Sequence, residues 1–217
     1  MSTQAALPAL AKRGPSRRIA TSCLAVALVI CGIALDTKVV AIGSFSDTQE
    51  QGFSMEAYGP KVFPSIQKNV ESRAVPASEL AMRLKEDRQQ AIDKYGVGSP
   101  LPVFPISFTG TVGSGKKGLY TIMVADVPPS LHLRLQTGPV ITGTDLRDAT
   151  GKIMFGDFTN QIEYQNAGTS INQAMKSIVL APLDTSLLSG KQVKVVGIFR
   201  LLSPDNWLVT PVRIEIQ

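Results

Sequence analysis

Residues 110–117 read GTVGSGKK, and Gly110, Gly115 and Lys116 fall at the spacing of a phosphate-binding Walker A loop. The last position of that motif should carry a hydroxyl for magnesium and carries Lys117 instead. A phosphate loop also needs a helix starting at its end, so that backbone N–H groups and the helix dipole face the anion. The chain continues as GLYTIMV, whose β-branched and aromatic residues favour a strand, so GSGKKG is expected to be a hairpin turn with its lysines in water. The densest polar stretch is residues 136–164, with Thr144, Asp145, Arg147, Asp148, Asn160 and Gln161 as candidate ligand- or partner-binding residues. The same side chains can fix irregular backbone by hydrogen bonding, and that structural role is the preferred reading. Asp145, Asp148 and Asp157 are too loosely spaced for a carboxylate metal site and are interrupted by Arg147, so ion pairing is expected there. The single histidine, His132, alternates with leucines in LHLRLQ and should face solvent. No catalytic constellation, metal site or cofactor site emerges.

The net charge of +5 and pI near 9.3 raise nucleic acid as a partner. However, Lys12, Arg13, Arg17 and Arg18 sit in a tail without acids, leaving 18 bases against 17 acids beyond residue 35. Without a basic-aromatic stripe in the body, nucleic acid is not expected. The basic tail (1–18) precedes an uncharged apolar run, residues 19–35, long enough as a helix to span about 25 Å. The expected reading is a transmembrane signal anchor in a bacterial inner membrane, with the N-terminus cytoplasmic and the C-terminal domain periplasmic. A cleaved, periplasmic form is the alternative. Both cysteines, Cys23 and Cys31, lie in this run, so no disulfide is available to the body. Neither has the combination of preceding small residue and upstream apolar run that lipidation requires.

The elements that must position the polar residues follow from periodicity. Residues 36–53 read as a polar stalk, and residues 54–217 as a periplasmic α+β domain. A helix is expected from Pro64, with Phe63, Ile66, Val70 and Ala74 on one face. A second, capped by Ser78, is expected to run to Gly96 with Leu80, Leu84, Ala91, Ile92 and Tyr95 inward. From Val103 the period is two, placing strands before and after the GSGKKG turn, at LHLRLQ, and in two C-terminal segments around SPDN. A short helix at TSINQAMKSIVLAPL, with Ile171, Met175 and Ile178 inward, interrupts the strands. Strands, an inserted helix and paired strands point to a small closed or partly open β-barrel.

The segments DTKVV, KVFP, AIDKYGVG, GPVITGTDLRDATG, FTNQIEY, VVGIF and LVTPVRIEI resemble the predicted periplasmic lipoproteins of domain-of-unknown-function family 2291. The resemblance covers roughly residues 36–217. It implies an envelope location, an OB-like barrel with added helices and association with sugar ABC transport systems of the ribose type. It supplies no catalytic residue. The combined expectation is a membrane-anchored periplasmic accessory or binding protein, held in the inner membrane by residues 19–35 and partnered by a sugar ABC transporter component. A carboxylate-based envelope hydrolase and a membrane-tethered scaffold are the alternatives.

Overall fold

Ser54 opens the first helix of the domain by accepting a hydrogen bond from the Ala57 N–H, and α1 runs Met55–Arg73. The computed structural model describes residues 53–217; the basic tail, the apolar run and the stalk up to Gly52 lie outside the described residues. Among the described residues no helix is long and apolar enough to cross a membrane.

The helix expected from Pro64 therefore begins nine residues earlier and contains both Pro60 and Pro64. Burial of Gly59, Phe63, Ile66 and Val70 along one face outweighs the loss of two backbone donors. The long helix expected to end at Gly96 is two: α2, Ala77–Glu86, and α3, Arg88–Tyr95. Asp87 takes an extended backbone between them, and its carboxylate accepts from the Gln90 N–H as the cap of α3. Ser78 is not a cap, because Pro76 occupies that position.

The strands are β1 Val75–Pro76, β2 Val103–Lys116, β3 Leu119–Val124, β4 His132–Gln136, β5 Gln192–Arg200 and β6 Asn206–Ile216. They form one mixed sheet in the order β1-β2-β3-β4-β6-β5, in which β2 also pairs β5. The pairing is divided along β2: residues 103–111 meet β5 antiparallel, while 110–116 meet β3 antiparallel. β4 runs parallel to β6, and β1 parallel to β2. The domain is thus α+β with one mixed sheet, and of the two forms expected, a closed or a partly open barrel, it is not the closed one. At the β2–β3 hairpin, Lys117 and Gly118 take φ of 55° and 76°, the left-handed pair of a two-residue turn, and both lysines of GSGKKG are exposed. His132 is exposed while Leu131, Leu133 and Leu135 are buried.

Between β4 and β5 lie the one-turn helix α4, Asp145–Asp148, and α5, Gln161–Met175. α5 continues into a π-helical turn over Lys176–Leu180. The inserted helix is longer than TSINQAM and starts ten residues before Ile171. Ile171 and Met175 are fully buried, but Ile178 is 47% exposed, contrary to its expected inward position. The wider π turn breaks the 3.6-residue register and turns Val179 and Leu180 inward in its place. One core joins helices and sheet, with Trp207 stacked on Phe199 at 4.3 Å and Phe199 on Phe104 at 5.6 Å.

Candidate functional site

α4 is fixed by Leu146, which is fully buried and leaves the flanking Asp145, Arg147 and Asp148 to reach sideways to other elements. Arg147 is itself buried, at 8% exposure, so its charge requires close partners. Its Nε donates to Asp148 Oδ1 at 2.8 Å, and its Nη1 donates to the Tyr164 carbonyl of α5 at 3.3 Å. The guanidinium lies 3.7 Å from the centroid of the Tyr164 ring, a cation–π contact. Thr144 Oγ1 donates to Asp148 Oδ2 at 3.0 Å.

A second arginine completes the cluster. Arg200, the last residue of β5, donates from Nε to Asp145 Oδ1 at 3.0 Å and from Nη2 to Asp148 Oδ2 at 2.5 Å. Its Nη1 donates to the Leu101 carbonyl at 2.8 Å. Two arginines and two aspartates thereby tie α4 to α5, β5 and the segment before β2. Burial pushes the Asp145 carboxyl above the ordinary carboxylate range, and the Arg200 charge and hydrogen bond offset part of that rise.

Of the residues expected from the sequence, Thr144, Asp145, Arg147 and Asp148 come together. Asn160 and Gln161 do not join them. Asn160 caps α5, accepting from the Glu163 N–H at 2.9 Å, and Gln161 is exposed in the first turn. Asp157 also stands apart, accepting from the Met154 N–H at 2.8 Å. Among the described residues no three His, Cys, Asp or Glu side chains are placed to hold a metal ion. Arg200 and Tyr164 were not anticipated. In the period-two pattern of KQVKVVGIFRL nothing separates Arg200 from an outward, solvated position such as Lys194.

Beside the ion pairs lies a set of aromatic rings. Phe53 meets Tyr58 at 5.2 Å and Phe158 at 5.7 Å, Phe158 meets Tyr164 at 5.5 Å, and Phe155 meets Tyr164 edge-on at 5.7 Å. Burial raises the Tyr58 hydroxyl above its ordinary pKa, with the Asp157 charge adding and the Arg147 charge opposing. Elsewhere, an open cleft of about 450 Å³ is lined by Ser78, Ser107, Thr109, Asp126 and Lys194 among others, and takes no residue from the polar cluster.

A family model described as predicted periplasmic lipoprotein, DUF2291, matches residues 23–215. Comparison with curated proteins gives no match. Among solved structures, the chain is similar to an OB-fold protein from Thermotoga maritima, with a TM-score of 0.61 and 22% identity, over 77% of this chain and 100% of that one. At that identity the likeness concerns the fold alone. It is consistent with an OB-type arrangement of the mixed sheet.

Proposed function

Since the chain belongs to the DUF2291 family of predicted periplasmic lipoproteins, we propose that it is a non-enzymatic accessory or binding module of the bacterial envelope, held at the inner membrane through residues 19–35. The observation that carries this reading is the internal pairing of the polar cluster. Asp145 and Asp148 both accept from Arg200, Asp148 also accepts from Arg147 and Thr144, and Nη1 of each arginine donates to a backbone carbonyl. Such a network braces a loop; it does not hold a free acid, base or nucleophile toward a reacting atom. Exposed apolar side chains beside it supply surface for association instead.

The partner we assign is a component of a ribose-type sugar ABC transport system, an assignment that rests on the family resemblance. Crosslinking of the full chain in native membranes, followed by capture and identification of partners, tests it. Recovery of permease or ATPase subunits of such a system supports the assignment, and their absence from the captured set overturns it.

A carboxylate-based hydrolase is the second reading, favoured by one observation: Asp145 and Asp148 converge, and burial raises the Asp145 carboxyl. Catalysis by this pair requires Arg200 to release both carboxylates. Loss of an envelope phenotype in Asp145→Asn with an unchanged melting temperature would favour the enzyme over the accessory reading.

A further inference from the structure

We propose that Arg134, on the outer face of β4, anchors a binding site for a monocarboxylate with an apolar body. Four arginines among the described residues are buried or half-buried: Arg73, Arg134, Arg147 and Arg200. Three of them have partners within the fold. Arg73 donates to Asn69 and to the Ala149 carbonyl, and Arg147 and Arg200 hold the α4 carboxylates. Arg134 has no such partner. Its Nε is buried without a hydrogen bond, and among the described residues it is the only side-chain polar atom so placed. No ion pair reaches its guanidinium either. An arginine that merely lays its stem on the surface keeps its whole head in water, whereas a charge partly stripped of water without a counter-charge costs stability. A guanidinium in this condition gains most from an oxygen acceptor that comes from outside the fold.

The strands on either side set the chemistry of the ligand. Thr121 of β3 lies directly across from Arg134, and Leu208 of β6 lies directly across on the other side. Two residues back along β4, His132 pairs with Asn206 of β6. Alternation along the strands puts these side chains on one face, away from the buried Leu133, Leu135 and Trp207. β3 and β4 contain no acid and β6 none before Glu215, so these strands supply no counter-charge at this end of the sheet. Asp205, exposed just ahead of β6, forms no salt bridge with Arg134. Arg134 is therefore the one permanently charged side chain of the patch, which matches a carboxylate and leaves a phosphate dianion half neutralised. The Thr121 hydroxyl and the Asn206 amide add neutral donors on the same face. Met123, two residues beyond Thr121 and 59% exposed, and the half-buried Leu208 offer apolar surface for the rest of the ligand. This site shares no residue with the α4 cluster, so its failure leaves the reading of that cluster untouched.

The test titrates the full chain, in detergent micelles at constant ionic strength, with acetate, butyrate, N-acetylalanine and inorganic phosphate. The signal followed is the side-chain Nε–H resonance of Arg134 in nitrogen-correlated NMR, identified by its absence from Arg134→Lys. Butyrate should shift it saturably and bind at least about three-fold more tightly than acetate, because its added methylenes meet Met123 and Leu208. In Arg134→Gln the butyrate-induced shift of the neighbouring Thr121 backbone N–H should vanish, with unchanged emission from the buried Trp207 as the sign of an intact fold. N-acetylalanine bound more tightly than butyrate assigns the carboxylate to the end of a protein chain, and the reverse order assigns it to a free acid; either order upholds the site. Absence of a saturable shift up to about 100 mM butyrate overturns the proposal. So does a butyrate response that survives in Arg134→Gln, or phosphate bound more tightly than butyrate.

Discussion

Arg147 is the residue on which the polar cluster turns, because it is buried and its partners come from two helices. Its replacement by Ala leaves Asp148 with fewer donors and removes the cover from the Tyr164 ring. Breaking a partly buried, hydrogen-bonded pair in this way should lower stability by about 1–3 kcal/mol, read from urea unfolding. A near-unchanged midpoint together with lost partner capture would instead mark Arg147 as a contact residue. Asp145 gives a pH test with a definite sign. Its folded-state pKa is raised, so its contribution to stability is complete below the ordinary value of 3.8 and is lost as pH rises through the folded-state pKa. Asp145→Asn removes that loss, and its stability relative to the natural protein should therefore improve as pH increases from about 3 to 7. A pH-independent difference between the two proteins would contradict the assignment. The lysines at the opening hairpin carry the opposite expectation. Lys116→Ser combined with Lys117→Ser should leave the unfolding midpoint within about 0.5 kcal/mol, since both side chains are in water. A nucleotide that raises the melting temperature of the natural protein but not of this variant would return the loop to phosphate binding.

At the scale of elements, the contact between α1 and α5 holds the helical layer together. Ser170 of α5 accepts from the Gly59 N–H at 2.7 Å and donates to the Met55 carbonyl of α1, so one hydroxyl bridges two turns of the facing helix. The approach is close because residue 59 lacks a side chain: a Cβ there would stand 2.1 Å from the Ser170 carbonyl oxygen. That obstruction is backbone and cannot rotate away. Gly59→Ala should therefore destabilise the domain by about 1–3 kcal/mol despite the higher helix propensity of alanine. Calorimetry showing an equal or raised melting temperature would refute this account of the crossing. The boundaries of these helices were poorly marked in the sequence for related reasons. Two prolines concealed the start of α1, a single aspartate divided α2 from α3, and a π turn shifted the inward face at the end of α5. In each case a tertiary contact or a local cap overrode the expected period.

For the whole molecule, the apolar run predicts retention in the membrane fraction through salt and alkaline washes, and Cys31→Ser should not change it, since a helix anchors without a lipid on that sulfur. A soluble product beginning near Leu35, or loss of the variant to the soluble fraction, would replace the anchor with cleavage or lipidation. The sequence by itself determined the α+β class, the strands around GSGKKG and SPDN, and the outward histidine, because period-two alternation reports burial directly. It also marked the polar stretch 136–164, through a local concentration of polar side chains between turns, of which Thr144, Asp145, Arg147 and Asp148 come together and Asn160 and Gln161 do not. Only the tertiary structure decided what that unit does: Arg200 joins it from 52 residues beyond Asp148, and Tyr164 from a helix whose first turn had read as more of the same polar loop. Partners so distant along the chain are brought together by the return of β5 alongside β2, a pairing set by the packing of the core. The local sequence around Arg200 carries no trace of it, since an arginine at the end of a strand looks the same whether it meets water or two carboxylates.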